Sequence, residues 1–382
     1  MRKFIPLSVP FVSDNVIEEI TKVLKSGWIA TGPLTQKFEQ KLSEYFDGRA
    51  ALCFSSATSG LQAALIAIGI KPGDEVITTS MTFVAAANAI SMLGAKPIFV
   101  DIDHETFNID ASKILDACTE KTKAIMPVHY AGIPVDLEAI YKIAKEKKLR
   151  VIEDAAHAMG ASYKGKKIGA FGDIQVFSFH PIKNMTTGEG GCVVTGQSAQ
   201  TERKILELQR FHGIDRSIWD RFSKNASSYY DVIFPGSKGN MSDLQSAIGI
   251  HQLDELESMN TRRRKLLQRY REAFSDIYKD FRIQKNPNYD FIHSGHLCAA
   301  YLSDPTKRDD FMTYLKEKSI GSTLYYMPIH LFSYYKNTFG YKDGDLHCTE
   351  YIGERCVCLP LYPSLSSEDQ EYVIDTIRGY FK

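Results

Sequence analysis

Residues 174–195 read IQVFSFHPIKNMTTGEGGCVVT, and the architecture of the chain can be inferred outward from this segment. An apolar run, Ile174–Phe179, predicts a buried strand, and a second run, Cys192–Thr195, predicts another. Pro181 and several glycines lie between the two runs, and both residue types are typical of turns. The turn therefore presents one lysine, Lys183, between two core strands.

A lysine in this position is costly to keep charged, so we expect burial to lower its pKa. A lysine with a lowered pKa is the nucleophile that Schiff-base chemistry requires. The alternative is a solvated loop lysine, which is the commonest environment for this residue type. The residues at neighbouring strand ends decide between the two.

Short apolar runs alternate with helical patterns between about residues 50 and 195. The predicted strands are Ala51–Phe54, Glu75–Thr78, Pro97–Val100, Ala124–Val128, Arg150–Glu153, Ile174–Phe179 and Cys192–Thr195. The predicted helices between them are Ser59–Ile68, Val84–Met92 and Leu137–Lys147. Such alternation predicts an α/β fold in which helices cover both faces of a mainly parallel sheet. Ligands of such sheets bind at the carboxyl ends of the strands.

The pattern changes near residue 240, where a long helical stretch is predicted from about Ser242 to Ser275. Short strands and helices follow it and end with a helix that begins at Ser367. We therefore predict a large domain over residues 1–245 and a smaller C-terminal α/β domain over residues 246–382. The basic run Arg262–Lys265 falls within the long helix and is interpreted as a solvated face.

The charges balance, because Lys and Arg number 46 and Asp and Glu also number 46 in the 382 residues. This balance argues against nucleic acid or an anionic membrane as the main partner. No apolar stretch approaches the ~18 residues of a membrane span, and Pro6 and Pro10 interrupt any signal-like segment. The seven cysteines lack metal or redox spacing. They predict free buried thiols in a reducing cytoplasm, with no metal site.

Two polar features lie at the ends of predicted strands. Ser55–Gly60 follows a strand and opens a helix, so its N–H groups and the Thr58 hydroxyl can bind an anion. The alternative for this segment is an ordinary helix cap. Asp154 ends the buried run Val151–Glu153, where a carboxylate needs a cationic or hydrogen-bonding partner. The alternative for Asp154 is a turn or capping aspartate.

Two ring-bearing residues lie near the same strand ends. His157 follows Asp154 by three residues, although a lone histidine is more often a satisfied core residue. Phe83 follows the strand Glu75–Thr78, where an aromatic ring can stack on a flat cofactor; core packing is its alternative. With the features above, they provide an anion cradle, an aromatic face, a carboxylate for a ring nitrogen and a lysine for an aldehyde. Pyridoxal 5′-phosphate (PLP) requires all four.

These motifs resemble the fold-type-I PLP enzymes, specifically the sugar-nucleotide aminotransferases of the DegT/StrS type that act on UDP-4-keto sugars. Within this type, the resemblance is specifically to the UDP-4-amino-4-deoxy-L-arabinose–oxoglutarate aminotransferases and their relatives. The resemblance extends from about residue 5 to the C-terminus. The matching segments are Ser26–Pro33, Ser55–Gly60, Pro127–Gly132, Glu153–Ala158, Phe177–Gly191 and Arg210–Gly213.

The resemblance implies a role for each matching residue. Lys183 and Asp154 are implied as catalytic. The implied cofactor-binding residues are Ala57, Thr58, Phe83, Asp154, His157, Ser178, Lys183 and Asn240. The implied substrate-binding residues are Trp28, Ile29, Tyr130, His212, Arg221 and His330. Asn240 would reach the phosphate in the neighbouring subunit, which implies a homodimer with shared active sites.

The implied reaction moves an amino group from L-glutamate to a keto sugar nucleotide and releases 2-oxoglutarate, in bacterial surface-polysaccharide or amino-sugar biosynthesis. One alternative is a PLP-dependent sugar-nucleotide dehydratase, a lyase in which histidine replaces the lysine at position 183. A second is a non-catalytic regulatory relative, which would be expected to lack Lys183 or Asp154. A third is an amino-acid aminotransferase, for which Arg221 is a candidate carboxylate clamp. The chain departs from the family at Ser237, Gly239, Gly295 and Tyr325.

Overall fold

The strands of the protein follow the apolar runs of its sequence. In this computed structural model, which describes residues 2–215 and 229–382, they are β1 (Ala50–Phe54), β2 (Glu75–Thr79), β3 (Lys96–Val100), β4 (Thr122–Ile125), β5 (Arg150–Asp154), β6 (Ser162–Tyr163), β7 (Lys166–Lys167), β8 (Ile174–Ser178), β9 (Gly191–Thr195), β10 (Phe281–Ile283), β11 (Phe291–Ile292), β12 (Cys298–Leu302) and β13 (Cys356–Leu359). The predicted substrate residue Arg221 lies outside the described residues.

The α-helices of the described ranges are α1 (Asp14–Ser26), α2 (Pro33–Tyr45), α3 (Ala57–Ala67), α4 (Ala85–Met92), α5 (Ile114–Ala117), α6 (Leu137–Lys147), α7 (Gln200–Gln209), α8 (Asp243–Ala273), α9 (Arg308–Glu317), α10 (Ser333–Phe339), α11 (His347–Gly353) and α12 (Ser367–Tyr380). The bounds of α6 are those predicted from its pattern. The long predicted helix is α8, which ends at Ala273, two residues earlier than expected.

The central sheet has seven strands in the order β1-β9-β8-β5-β4-β2-β3. Strands β2, β3, β4, β5 and β8 run parallel, and β9 is antiparallel to both of its neighbours. On one face Val176 packs in a core with Leu61 of α3, and on the other Phe177 packs with Phe38 of α2. The prediction of a mainly parallel seven-stranded sheet between helices is confirmed.

A smaller antiparallel sheet, in the order β10-β12-β13, forms the C-terminal part with α9 and α12. Helix α8 packs on both parts, since Leu256 belongs to the core of the large sheet and Tyr270 to that of the small sheet. The boundary between residues 245 and 246 stays a prediction.

The interpretation of Arg262–Lys265 as a solvated face is wrong for Arg263. This residue is 2% exposed, and its Nη1 donates a hydrogen bond to the Leu361 carbonyl at 2.8 Å. Successive side chains of a helix point about 100° apart. Because α8 packs against two cores, four consecutive basic residues cannot all face solvent, and Arg263 points into the protein.

The seven cysteines form no disulfide within the chain; Cys118 and Cys348 are partly exposed and the other five are buried. Among the described residues, no helix combines the length and the apolar character that a membrane span requires. The described residues also contain no cluster of three or more His, Cys, Asp or Glu side chains suited to a metal ion.

Asp243, the first residue of α8, caps the start of α2 from a buried position that is 3% exposed. Its Oδ1 accepts hydrogen bonds from the N–H groups of Gly32 and Thr35, at 2.8 and 2.9 Å. Its Oδ2 accepts from the N–H of Leu34 at 3.1 Å. Helix α2 has no side-chain cap of its own, so this carboxylate satisfies N–H groups that would otherwise lack partners.

We expect Asp243→Asn to lower the free energy of unfolding by about 2 kcal/mol, because an amide N–H₂ would replace one accepting oxygen against buried donors. Asp254→Asn is the matched control, since Asp254 also lies on α8 and pairs with Lys41 of α2, but is 54% exposed. The control should change the free energy by less than about 0.5 kcal/mol. Urea unfolding of both variants measures the difference, and equal effects would contradict the capping role.

Candidate active site

A cavity of about 330 Å³ opens at the carboxyl ends of the parallel strands. It lies where β5 and β8 end side by side, with Asp154 in register with Val176. The predicted residues that line it are Ala57, Thr58, Phe83, Asp154, His157, Ser178 and Lys183. The fold therefore brings together residues that are separated by up to 126 positions in sequence (183 − 57).

Lys183 lies in the turn after β8, where its N–H donates to the carbonyl of His180 at 2.9 Å. Burial lowers the pKa of the Lys183 amine to about 8, and the negative charge of Asp154 acts in the opposite direction. Among the described residues, no side chain forms an ion pair with this amine. A substantial fraction is therefore unprotonated near pH 8 and available as a nucleophile.

Asp154 is 6% exposed and accepts one hydrogen bond, from the N–H of Ala156 at 3.0 Å. Burial raises the pKa of its carboxyl group, while that hydrogen bond and the charge of Lys183 act against the shift. A carboxylate has about four acceptor sites, so Asp154 retains acceptor capacity at the cavity wall. A positively charged N–H donor in the cavity would satisfy it.

His157 is held neutral and in one tautomer. Burial is the main cause that lowers its pKa well below the ordinary range, and the charge of Lys183 adds to the effect. Its Nδ1 accepts from the N–H of Ala131 at 3.2 Å, so the ring proton resides on Nε2. Nε2 lies 3.1 Å from the hydroxyl of Tyr326 and donates to it. The Tyr326 proton is thereby left for a partner other than His157.

Phe83 is 58% exposed, which excludes the alternative of a core residue. It lines the cavity, and its ring centroid lies 6.1 Å from that of Tyr326. A flat ligand in the cavity would cover this exposed aromatic surface.

The start of α3 forms the anion cradle. Ser56 caps the helix through a hydrogen bond from the N–H of Ser59 to its hydroxyl, at 3.1 Å. The N–H groups of Ala57 and Thr58 precede the first intrahelical bond and lie at the positive end of the helix dipole. Gly191 lets β9 pass close to this start, because a Cβ there would lie 2.6 Å from the Ala57 nitrogen.

Two predicted substrate residues lie behind the cavity wall. Tyr130 is fully buried, and its hydroxyl donates to the carbonyl of Tyr325. His330 is also fully buried, with Nδ1 2.7 Å from the Ser80 hydroxyl and Nε2 3.0 Å from a Glu350 oxygen. Both rings support segments that carry cavity residues, and neither reaches the cavity within this chain.

The remaining predicted residues lie away from the cavity. Asn240 lines a separate cavity with Thr31 and Arg210, and its Nδ2 donates to the Thr31 hydroxyl. Ile29 is 51% exposed, His212 is exposed and Trp28 is partly buried.

Sequence reasoning missed Tyr326 and a buried layer below Asp154. Glu153 accepts hydrogen bonds from Tyr141 at 2.7 Å and from Gln175 at 2.6 Å. Its other oxygen lies 2.9 Å from Nε2 of His129, whose Nδ1 accepts from a backbone N–H. The sequence did contain a signal for this layer: Glu153 is an acidic residue inside an apolar strand, and a buried acid requires polar partners.

Comparison with known proteins identifies the family. The sequence model of the DegT/DnrJ/EryC1/StrS aminotransferase family matches residues 11–378. The chain belongs to this family. Its members are PLP-dependent sugar aminotransferases, so the predicted enzyme class and cofactor are confirmed.

Individual relatives cover almost the whole chain. MJ1066 of Methanocaldococcus jannaschii, an uncharacterized protein, is 44% identical over 98% of this chain and 97% of its own length. SpsC of Bacillus subtilis, a spore coat polysaccharide biosynthesis protein, is 40% identical over 99% of this chain and 97% of its own. Among solved structures, the sugar aminotransferase Spr1654 from Streptococcus pneumoniae, in its pyridoxamine phosphate (PMP) form, superposes on this chain with a TM-score of 0.92. The two chains are 31% identical in sequence, and the match covers 98% of each. That protein has also been solved in its PLP form.

The cavity of this aminotransferase fits PLP on its own geometry. Asp154 has unused acceptor capacity at the wall, the α3 start presents N–H groups, and Phe83 exposes a ring face. These features match a pyridinium nitrogen, a phosphate and a flat ring, respectively.

In the apoenzyme, we expect Lys183 to become reactive toward an acylating reagent with a midpoint near pH 8, the value to which burial lowers its pKa. Below that pH the amine is protonated and unreactive. Asp154→Asn removes the charge that raises the Lys183 pKa, so the midpoint should move to lower pH. Mass spectrometry of the labelled Lys183 peptide across pH measures both values, with the exposed Lys166 as an internal reference. A wild-type midpoint near the ordinary value of about 10.4 would contradict the buried setting.

Proposed function

We propose that this aminotransferase moves the amino group of L-glutamate to a keto sugar nucleotide, specifically a UDP-4-keto sugar. The observation that supports amino transfer is that the buried Lys183 and Asp154 line one cavity, where burial lowers the pKa of the Lys183 amine to about 8. The relative SpsC acts in spore coat polysaccharide biosynthesis, which supports a role in making surface-polysaccharide or amino sugars. The cytoplasmic location of this reaction stays a prediction.

We assign the cofactor contacts as follows. Ala57, Thr58 and Ser178 would hold the phosphate, and Phe83 would cover one face of the ring. Asp154 would accept a hydrogen bond from the ring nitrogen. Lys183 would bond to the aldehyde carbon, and His157 would lie beside the ring substituents, held there by Ala131 and Tyr326.

When bound, PLP supplies an aldehyde that exchanges amino groups and a ring that accepts electrons. The chain supplies proton transfer and electrostatics. The Lys183 amine would take the proton from the glutamate Cα in the first half-reaction, and it would deliver a proton to the sugar carbon in the second. The Asp154 carboxylate would keep the ring nitrogen protonated through a charge-assisted hydrogen bond. In sum, glutamate and the keto sugar become 2-oxoglutarate and the amino sugar.

A panel of keto sugar nucleotides tests the proposal, with glutamate as donor and 2-oxoglutarate release as the readout. We expect turnover with a UDP-4-keto sugar and none with simple 2-oxo acids other than 2-oxoglutarate as acceptors. Lys183→Ala should reduce turnover by about 10³-fold or more, because it removes both the bond to the cofactor and the acid–base group. Lys183→Arg is the matched control: it keeps a positive charge, has no amine nucleophile, and should be equally inactive.

Two results would contradict the proposal. Turnover of Lys183→Ala at the wild-type rate would exclude the assigned lysine. Turnover of 2-oxo acids with no turnover of any keto sugar nucleotide would indicate an amino-acid aminotransferase instead.

We further propose a homodimer in which Asn240 of one subunit reaches the cofactor phosphate of the other. The support is that Asn240 shares no cavity with Lys183 of its own chain. Its Nδ2 carries two N–H groups, of which one donates to the Thr31 hydroxyl and the other can donate to a phosphate oxygen. A contact across a twofold axis would use this side chain in both sites.

Mixed dimers test the shared site. Lys183→Ala and Asn240→Asp chains, co-expressed with different tags, should each be poorly active alone, because the aspartate repels the phosphate. In the purified heterodimer one site carries both changes and the other carries neither, so we expect about half of the wild-type activity. A heterodimer as inactive as both parents, or an active monomer, would overturn the shared site.

A further inference from the structure

A second cavity, of about 400 Å³, lies between α8 and the segment around β11. Its helical wall is formed by Arg264, Gln268 and Arg271, whose spacing of four and three residues places them on one face of α8. The opposite wall includes Asn286 and His293. No residue of this cavity lines the cavity of Lys183.

The helical wall carries positive charge that the protein neutralises only in part. Nη2 of Arg264 donates to Glu257 at 2.6 Å and to Thr261 at 2.8 Å, but Nη1 is buried without a partner among the described residues. The described residues give Arg271 no hydrogen bond or ion pair, and burial lowers its pKa. Glu272, the carboxylate next to Arg271 in sequence, accepts from Gln268 instead, at 2.8 Å.

His293 contributes a hydrogen-bond donor to the same cavity. It is 8% exposed, and its Nδ1 accepts from the N–H of Gly295 at 2.9 Å, which leaves the ring proton on Nε2. Nε2 is buried and has no partner in the part of the chain that the structure describes. Burial lowers the pKa of His293 to about 3, and the charges of Arg271 and Arg264 add to the effect, so the ring is a neutral donor.

Buried donors are normally paired, and an unpaired one costs free energy. Here Nη1 of Arg264 and Nε2 of His293 are two such buried donors on one cavity, and the half-buried guanidinium of Arg271 adds a positive charge beside them. Guanidinium groups bind phosphate oxygens through paired hydrogen bonds. A volume of about 400 Å³ falls within the range of small-molecule sites and exceeds what a single phosphate ion needs.

We propose that this cavity is a second ligand site, which binds the phosphate or diphosphate group of a small molecule through Arg264, Arg271 and His293. The site is connected to the cavity of Lys183 by one short segment. The hydroxyl of Ser294, next to His293, donates to the carbonyl of His157 at 2.6 Å. The His296 ring lies 4.3 Å from the His157 ring. A ligand on His293 therefore contacts the segment that supports His157.

Calorimetric titration of the holoenzyme with pyrophosphate tests the proposal, after borohydride has fixed PLP so that the phosphate cradle of the Lys183 cavity is filled. We expect saturable binding that includes one site per chain weakened by the substitutions below, whereas any binding of the diphosphate in the substrate site beside Lys183 should not respond to them. Asn286→Glu places a carboxylate at the cavity wall and should weaken binding by about tenfold or more, through like-charge repulsion. Asn288→Glu is the matched control, because Asn288 is exposed in the same loop but does not line this cavity. Its effect should stay below about twofold.

Arg271→Gln provides an independent test, with Lys265→Gln as its charge-matched control on the exposed side of α8. Arg271→Gln should also weaken pyrophosphate binding by about tenfold or more, since it removes a charge-assisted pair of hydrogen bonds. Both surface variants, Asn286→Glu and Asn288→Glu, alter exposed positions and should keep the fold, which circular dichroism checks.

Parallel titrations with UDP and 2-oxoglutarate identify the ligand class. If Asn286→Glu and Arg271→Gln weaken UDP as well as pyrophosphate, the site accepts phosphate esters; if they weaken pyrophosphate alone, it accepts free phosphate. The proposal is overturned by unsaturable pyrophosphate binding or by affinities that neither variant changes. It is also overturned if 2-oxoglutarate binds in an Arg271-dependent manner while pyrophosphate does not bind, since the ligand would then be a carboxylate.

Discussion

The site depends on one electrostatic constraint: a lysine amine and a carboxylate share a cavity that water solvates poorly. Burial lowers the pKa of Lys183 to about 8 and raises that of Asp154, and each charge partly offsets the shift of the other. The two groups meet because β5 and β8 are adjacent parallel strands that end at the same edge of the sheet. The amine is thus reactive, and the carboxylate keeps acceptor capacity at the cavity wall.

A layer of buried hydrogen bonds holds these groups in place. His129 and Glu153 join the ends of β4 and β5 below Asp154, and His157 is fixed between Ala131 and Tyr326. Because burial keeps His157 neutral, it adds no positive charge beside Lys183. The supporting segments come from both the large and the small sheet, so the geometry of the site depends on how the two parts pack along α8.

Much of this arrangement was predictable because local patterns report local structure. Apolar runs identified the strands, and the residues directly after them, such as Asp154 and Lys183, had to meet at one sheet edge. Contacts between distant segments leave no such signal. Three features depend instead on how the C-terminal part packs on the sheet. They are the contact of Tyr326 with His157, the burial of Arg263, and the cavity between α8 and the segment at His293. The spacing of residues along the sequence likewise does not predict whether Asn240 acts in the site of its own chain or in that of a partner chain.

The most direct test of the account is to locate the lysine that holds the cofactor. The holoenzyme is reduced with borohydride and digested, and the peptide that carries the pyridoxyl phosphate mass is sequenced by tandem mass spectrometry. We predict that the label lies on Lys183, in the peptide after β8, with one label per chain. A label on another lysine, or a fully active enzyme from which borohydride fixes no cofactor, would contradict the central claim that the buried amine of Lys183 is the reactive group.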